Sequence, residues 1–136
     1  MKKPFFSIVI PTFNRCELLK ATIAIILAQT FKNFELIISD NASTDKTEKV
    51  VKSFKDGRIK YFKNKENIGP ENNFQKGFSY ARGEYIFSMG DDDFILFEDT
   101  LEEIKKILDK EKFGFLRLNL IEKKFIGQGL RKSIIT

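Results

Sequence analysis

The chain has 136 residues, 42% of them hydrophobic and 32% charged, with a formal net charge of +5 from 24 basic and 19 acidic side chains. That length makes one domain able to bury most of its apolar surface without staples, and the composition indicates neither disorder nor low complexity. Histidine is absent and Cys16 is the single cysteine, which excludes His-ligated metal sites, imidazole acid–base chemistry and an internal disulfide.

The predicted elements alternate. "FFSIVI" (5–10) is a continuous apolar run ended by Pro11, as expected of a strand covered on both faces. Residues 16–29 follow as a helix, with Leu19, Ile23, Ile26 and Leu27 at helical spacing. "FELIIS" (34–39) is a second buried strand. A helix then starts near 44–46, where Asp45 and Glu48 resemble a capping box and Val50, Val51 and Phe54 give a buried stripe.

"IKYF" (59–62) alternates like a shorter strand and leads into the polar loop "KNKENIGPENN". Phe74, Phe78 and Ala81 predict a third helix closed by Gly83, and "EYIFSM" (84–89) is a strand running into three aspartates. Leu101, Ile104, Ile107 and Leu108 line one face of a charged helix at 98–110, and "FGFLRLN" (113–119) reads as a last strand.

Strand and helix in alternation imply an α/β fold, a Rossmann-like, doubly wound and mainly parallel sheet, in which ligands bind beyond the carboxyl ends of the strands. The unusual polar stretches fall at those ends: "PTFNR" after the first strand, "DNASTD" after the second and "GDDD" after the fourth. Three loops from distant parts of the chain therefore meet on one edge, which points to a site there.

Each loop offers chemistry. Carboxylates at i and i+2 beyond a strand can approach one Mg²⁺ or Mn²⁺ that also holds phosphate oxygens; the alternative for Asp91–Asp93 is an acidic turn capping the next helix. Asp40 follows an apolar strand and is suited to accept a hydrogen bond from a base N–H, while Ser43, Thr44 and Asp45 have a structural use as helix caps. Pro11, Thr12, Phe13 and Asn14 supply a turn, a hydroxyl, a ring and an amide that can surround a planar base. Arg15 is placed either to touch phosphate or to solvate the helix start. No GxGxxG or Walker-type loop occurs.

Without histidine, proton transfer near pH 7 falls to a carboxylate, lysine, tyrosine, the cysteine or water. The lone cysteine fits a reducing compartment, Pro4 interrupts any charged-then-apolar leader, and runs such as "IAIILA" (23–28) are too short to span a bilayer. A cytoplasmic protein is expected. Its lysines are scattered, densest at "KYFKNK" (60–65), and do not make the footprint of a nucleic-acid binder. An anionic membrane surface suits the net charge.

Taken in order, "SIVIPTFNR", "QTFKNFELIISDNASTD", "NIG" with Gly77, "ARGEY" and "GDDDF" with Asp99 downstream resemble the family 2 glycosyltransferases, which have the GT-A fold, over roughly residues 5–110. The resemblance implies a nucleotide-sugar donor, often a UDP-sugar, and Mn²⁺ or Mg²⁺ as cofactor. It places Pro11, Thr12, Phe13 and Asn14 in the base-side loop, Asp40 at the base, and Asn67, Asp91 and Asp92 among the nucleotide-binding residues. Asp91 and Asp93 match the ends of the DxD motif, Asp93 being the direct metal ligand and Asp92 the variable middle. The implied chemistry is one displacement with inversion at the anomeric carbon, passing the sugar to a glycan or lipid-linked acceptor in cell-surface glycan synthesis, with peripheral membrane association.

Two departures stand out. The family often reads "DDGS" where this chain has "DNAS", and Asn where it has Gln75. In the family the acceptor half and its general-base carboxylate lie well beyond the DxD region. The expectation is therefore a donor domain at 1–121 and an unassigned tail at 122–136, with Glu122 a poor substitute for the base and little transfer by this chain alone. Other readings are a catalytically silent nucleotide-sugar-binding module and a metal-dependent nucleotidyltransferase.

Overall fold

A computed structural model of the chain describes residues 2–111. The element order is β1 (Phe6–Thr12), α1 (Cys16–Leu27), β2 (Phe34–Asp40), α2 (Thr47–Ser53), β3 (Ile59–Lys63), α3 (Pro70–Ser79), β4 (Tyr85–Ser88) and α4 (Thr100–Lys110). The chain divides after Glu103 into a large unit that holds the sheet and a second unit beginning at Ile104. In the second, the described part of α4 carries buried Ile104 and Leu108 and an ion pair between Lys105 and Asp109. The predicted strand at 113–119 and the tail from 122 lie outside the described residues.

All four strands are parallel, in the order β3-β2-β1-β4. The expected parallel α/β sheet is the observed one. β1 and β2 are central, and Ile8, Val9, Ile10, Leu36, Ile37 and Ile38 are fully buried, as an apolar run covered on both faces requires. Register pairs Phe6 with Phe34 and Thr12 with Asp40, so the two strands end level. β3 and β4 are the edges and are only half-buried, which accounts for the alternation along them that β1 and β2 lack.

α3 lies against β1 and β2. A Cβ on Gly77 would sit 2.9 Å from Val9 Cγ1 and 3.1 Å from the Ser39 Cβ, so glycine lets the helix approach this closely. At the amino ends of the strands Phe5, Phe6 and Phe31 pack edge-on, with Tyr85 tilted against Phe5. Part of the phenylalanine excess is spent there, at the end of the sheet away from the polar loops.

The helix ends differ from expectation for local reasons. Asp45 does not cap through a box with Glu48: its Oδ1 accepts from Thr47 N–H at 2.9 Å and Thr47 Oγ1 at 2.6 Å, and Lys46 takes the cap position. α3 begins inside the stretch that reads as a polar loop, because Pro70 needs no N–H partner at a first helical turn. It ends at Ser79, not Gly83: a Cβ on Gly83 would lie 2.5 Å from Ser7 N, so this glycine serves a close backbone crossing.

Candidate functional site

A cleft of about 650 Å³ opens at the carboxyl edge of the sheet, a volume suited to a nucleotide-sized ligand. It is lined by Pro11, Thr12, Phe13, Arg15, Asn41, Asn67, Pro70, Glu71, Phe74 and Asp91. Five predicted residues, Pro11, Thr12, Phe13, Asn67 and Asp91, are thus brought together from loops up to 80 positions apart in sequence. Asn14, Asp40, Asp92 and Asp93 stand outside the lining.

The first wall is the turn after β1. Phe13 is exposed at the mouth. Asn14 adopts φ 53°, a left-handed conformation that asparagine tolerates better than most residues. Its N–H donates to Ser43 Oγ at 2.9 Å, and its Oδ1 accepts from Thr44 N–H at 2.7 Å. Asn14 therefore laces this turn to the loop after β2 and does not face the cleft.

The second wall hangs from the end of β2. Asp40 is fully buried; Oδ1 accepts from Ser43 N–H at 2.9 Å and Oδ2 from the Tyr61 hydroxyl. Burial first, and the Asp40 carboxylate second, push the Tyr61 phenol far above its ordinary value, so it stays a donor. The next residue, Asn41, reaches the cleft surface. Its Nδ2 donates to Asn67 Oδ1 at 2.8 Å, while its Oδ1 accepts from Ile68 N–H at 2.9 Å and from Asn64 Nδ2 at 3.2 Å. Asn64 Nδ2 also donates to Asn73 Oδ1 at 2.9 Å, and Asn73 Nδ2 donates to the Ser39 carbonyl at 2.8 Å.

Among the described residues the one buried side-chain polar atom without a partner is Arg58 Nη1, so this amide network is complete. An aspartate at position 41 would set a second acceptor against Asn67 Oδ1. That gives a physical reason for "DNAS" in place of "DDGS". Ala42 pays for the turn with φ 65°, where glycine would be unstrained.

The third wall is the aspartate turn after β4. Thr22 of α1 straps it, its Oγ1 donating to the Asp91 carbonyl at 2.9 Å and the Asp93 carbonyl at 3.3 Å. The Asp91 side chain is nearly buried; Oδ2 accepts from Thr12 Oγ1 at 2.8 Å, and Oδ1 lies 3.3 Å from Arg15 Nη1. The same Nη1 lies 3.1 Å from Asp92 Oδ2. Asp93 folds back on its own turn, Oδ2 accepting from Gly90 N–H at 2.7 Å.

Whether a divalent cation fits can be judged from these donors. The turn carries three carboxylates, two of which contact one guanidinium, so among the described residues it keeps an excess of two formal negative charges, and every candidate metal donor is an oxygen. Among the described residues no three acidic or sulfur side chains converge on one point. The set therefore suits a hard ion that draws its remaining ligands from phosphate oxygens and water, not an all-protein cage. Partial desolvation, then Asp45 and Glu17, push the Cys16 thiol up, which disfavours its thiolate form.

The sequence leaves Arg15 between two roles and marks Asn41 only as a departure from the family pattern that bears on donor fit; Pro70, Glu71 and Phe74 line the cleft without being marked by it as site residues. The available signals were the asparagine that directly follows Asp40 and the proline that opens a helix in a polar stretch.

The parallel sheet, its flanking helices and a carboxylate-edged cleft at the strand ends define a GT-A type α/β domain. The model for glycosyl transferase family 2 matches residues 7–123, and the chain belongs to that family. It is 37% identical over 142 aligned positions to the GalNAc(5)-diNAcBac-PP-undecaprenol beta-1,3-glucosyltransferase of Campylobacter jejuni, covering 96% of this chain and 45% of the relative. It is 34% identical over 128 positions to the Escherichia coli UDP-Glc:alpha-D-GlcNAc-diphosphoundecaprenol beta-1,3-glucosyltransferase WfaP, covering 93% of this chain and 51% of that protein. The chain thus spans about half the length of these relatives. The crystal structure of S. aureus TarS in complex with UDP-GlcNAc superposes with a TM-score of 0.73 at 26% identity, over 77% of this chain and 31% of TarS.

Proposed function

We propose that the cleft binds the nucleoside diphosphate of a sugar donor, with a UDP-sugar as the first candidate, for inverting transfer of the sugar to a lipid-linked glycan acceptor. One observation carries this reading: a single cleft joins a base-sized slot, with Pro11 and Phe13 on one wall and Asn41 on the other, to a corner where Asp91 and Arg15 face each other. UDP-GlcNAc in TarS and the lipid diphosphate acceptors named for the two glucosyltransferases support the choice of substrates. The lipid-linked acceptor would bring the chain to the inner membrane face, and no helix among the described residues is long and apolar enough to cross a membrane.

In this reading Phe13 offers its ring to the base, and the Asn41 and Asn67 amides hold the opposite wall in position. Asp40 acts from behind, fixing the 41–43 turn through Ser43. Asp91 and Asp93 would hold Mn²⁺ or Mg²⁺, which when bound neutralises the departing diphosphate. Thr12 and Thr22 orient the aspartate turn, one through a side chain and one through two carbonyls.

Calorimetric titration of UDP, GDP, CDP and dTDP, with and without Mn²⁺, tests this on the native chain and on Asp91→Ala. Binding of one diphosphate that needs the metal and weakens at least about tenfold, or about 1.4 kcal/mol, in the variant is the expected outcome. Weak, metal-independent binding of all four by both proteins would refute it.

A further inference from the structure

Arg15 is the one cationic side chain among the described residues lining the cleft. Its backbone is fixed, since its carbonyl accepts from Leu19 N–H at 3.0 Å as α1 begins. Its side chain is not: it is half-exposed, whereas that of Asp91 is only 8% exposed. Among the described residues just one nitrogen of the guanidinium fork is engaged, and it is shared between two carboxylates at 3.1 and 3.3 Å. Paired guanidinium–carboxylate bonds are shorter, about 2.7–2.9 Å, and use both prongs. The contact is a loose one between a half-exposed cation and a nearly buried anion.

Charge balance then sets a conflict. Among the described residues, a diphosphate entering this corner meets Asp91, Asp92 and Asp93 with one guanidinium beside them. While Arg15 pairs with Asp91 its charge is partly neutralised by that carboxylate and one of its nitrogens is withheld from phosphate. If a divalent ion takes its place at Asp91, the long side chain can turn its unused prongs to the phosphate oxygens, for which the guanidinium fork is well shaped.

We propose that Arg15 is the counter-cation of Asp91, exchanged there for the divalent ion and then released to bind the diphosphate. This rests on the reading that the cleft takes a nucleoside diphosphate with a divalent cation. It makes Arg15 a residue that opposes metal binding yet favours nucleotide binding, a split that a purely structural arginine would not produce.

The test measures two affinities on the full chain: Mn²⁺ alone, by electron paramagnetic resonance, and UDP at saturating Mn²⁺, by calorimetry. Native protein is compared with Arg15→Gln and Arg15→Lys. For Arg15→Gln the expected result is Mn²⁺ bound about three- to fivefold more tightly, as loss of a partly exposed ion pair allows. UDP should bind that variant about tenfold more weakly, as loss of a charge-assisted contact implies. Arg15→Lys keeps the charge and should fall between native and Arg15→Gln on both measures. Mn²⁺ affinity unchanged or weakened in Arg15→Gln overturns the exchange, even if native protein binds UDP through Asp91. Failure of native protein to bind UDP with Mn²⁺ at all overturns the donor reading, and the exchange with it.

Discussion

The wall of the cleft built on β2 and the wall built on β4 are held by different means. On the β2 side, Asn41, Asn64 and Asn73 are buried and joined to each other, to Asn67 and to Ser39 by hydrogen bonds of 2.8–3.2 Å. On the β4 side, two of three acidic residues in a row pair, among the described residues, with one half-exposed arginine. Buried neutral amides that satisfy one another give a fixed shape, since any one left alone would carry the full cost of its desolvation. A half-exposed arginine shared between a buried and an exposed carboxylate gives little rigidity and responds readily to a new ion. The molecule thus separates shape, set on the β2 side, from charge, left adjustable on the β4 side.

The largest break in that contrast should come from Asn73→Ala. It removes one hydrogen bond each from the Ser39 hydroxyl, the Ser39 carbonyl and Asn64 Nδ2, all buried, leaving the hydroxyl and Nδ2 only their longer contacts of 3.2 Å. A loss of about 2–4 kcal/mol is expected, seen as a lower urea midpoint with an unchanged slope. Asp92→Asn on the opposite wall should stay within about 0.5 kcal/mol by the same measurement, because its ion pair is exposed.

Tyr61→Phe comes next. It removes the hydroxyl from the buried Asp40 carboxylate and should cost about 1–3 kcal/mol near pH 7. The pH dependence has a definite sign. The folded phenol titrates above its ordinary value of 10.0, so its contribution is fully present below about pH 10 and fades as pH rises further. Denaturation curves of native protein and variant should therefore converge above pH 10. A gap that widens there would contradict the Tyr61–Asp40 bond.

The smallest effect is a gain. Ala42 sits at φ 65°, so Ala42→Gly should raise stability by about 0.5–1 kcal/mol, read as a higher melting temperature, with nucleotide affinity unchanged. A loss of stability would mean that the left-handed turn is not the conformation of the free chain.

How much of this was legible beforehand follows the range of each interaction. β1 and β2 announced themselves as unbroken apolar runs, because a strand buried on both faces has no alternation to hide. The meeting of "PTFNR", "DNASTD" and "GDDD" on one edge followed from strand–helix alternation alone. Which side chains face the cleft did not. Asp40 and Asn41 are adjacent, and the choice between them depends on Tyr61, which pairs opposite Ile38 on the neighbouring strand. Phe74 has the spacing of a core residue, yet it lines the cleft because α3 starts at Pro70. Arg15 looked equally like a helix-start residue and a phosphate ligand, since its partners are 76 and 77 positions away.

The most direct test of the central claim is a crystal structure of the chain with UDP and Mn²⁺. The account expects the uracil beside Phe13 and Asn41, the diphosphate and metal against Asp91, and Arg15 turned from Asp91 toward phosphate. A nucleotide bound elsewhere on the molecule, or a cleft that excludes it while Asp91 and Arg15 stay paired, would contradict the account.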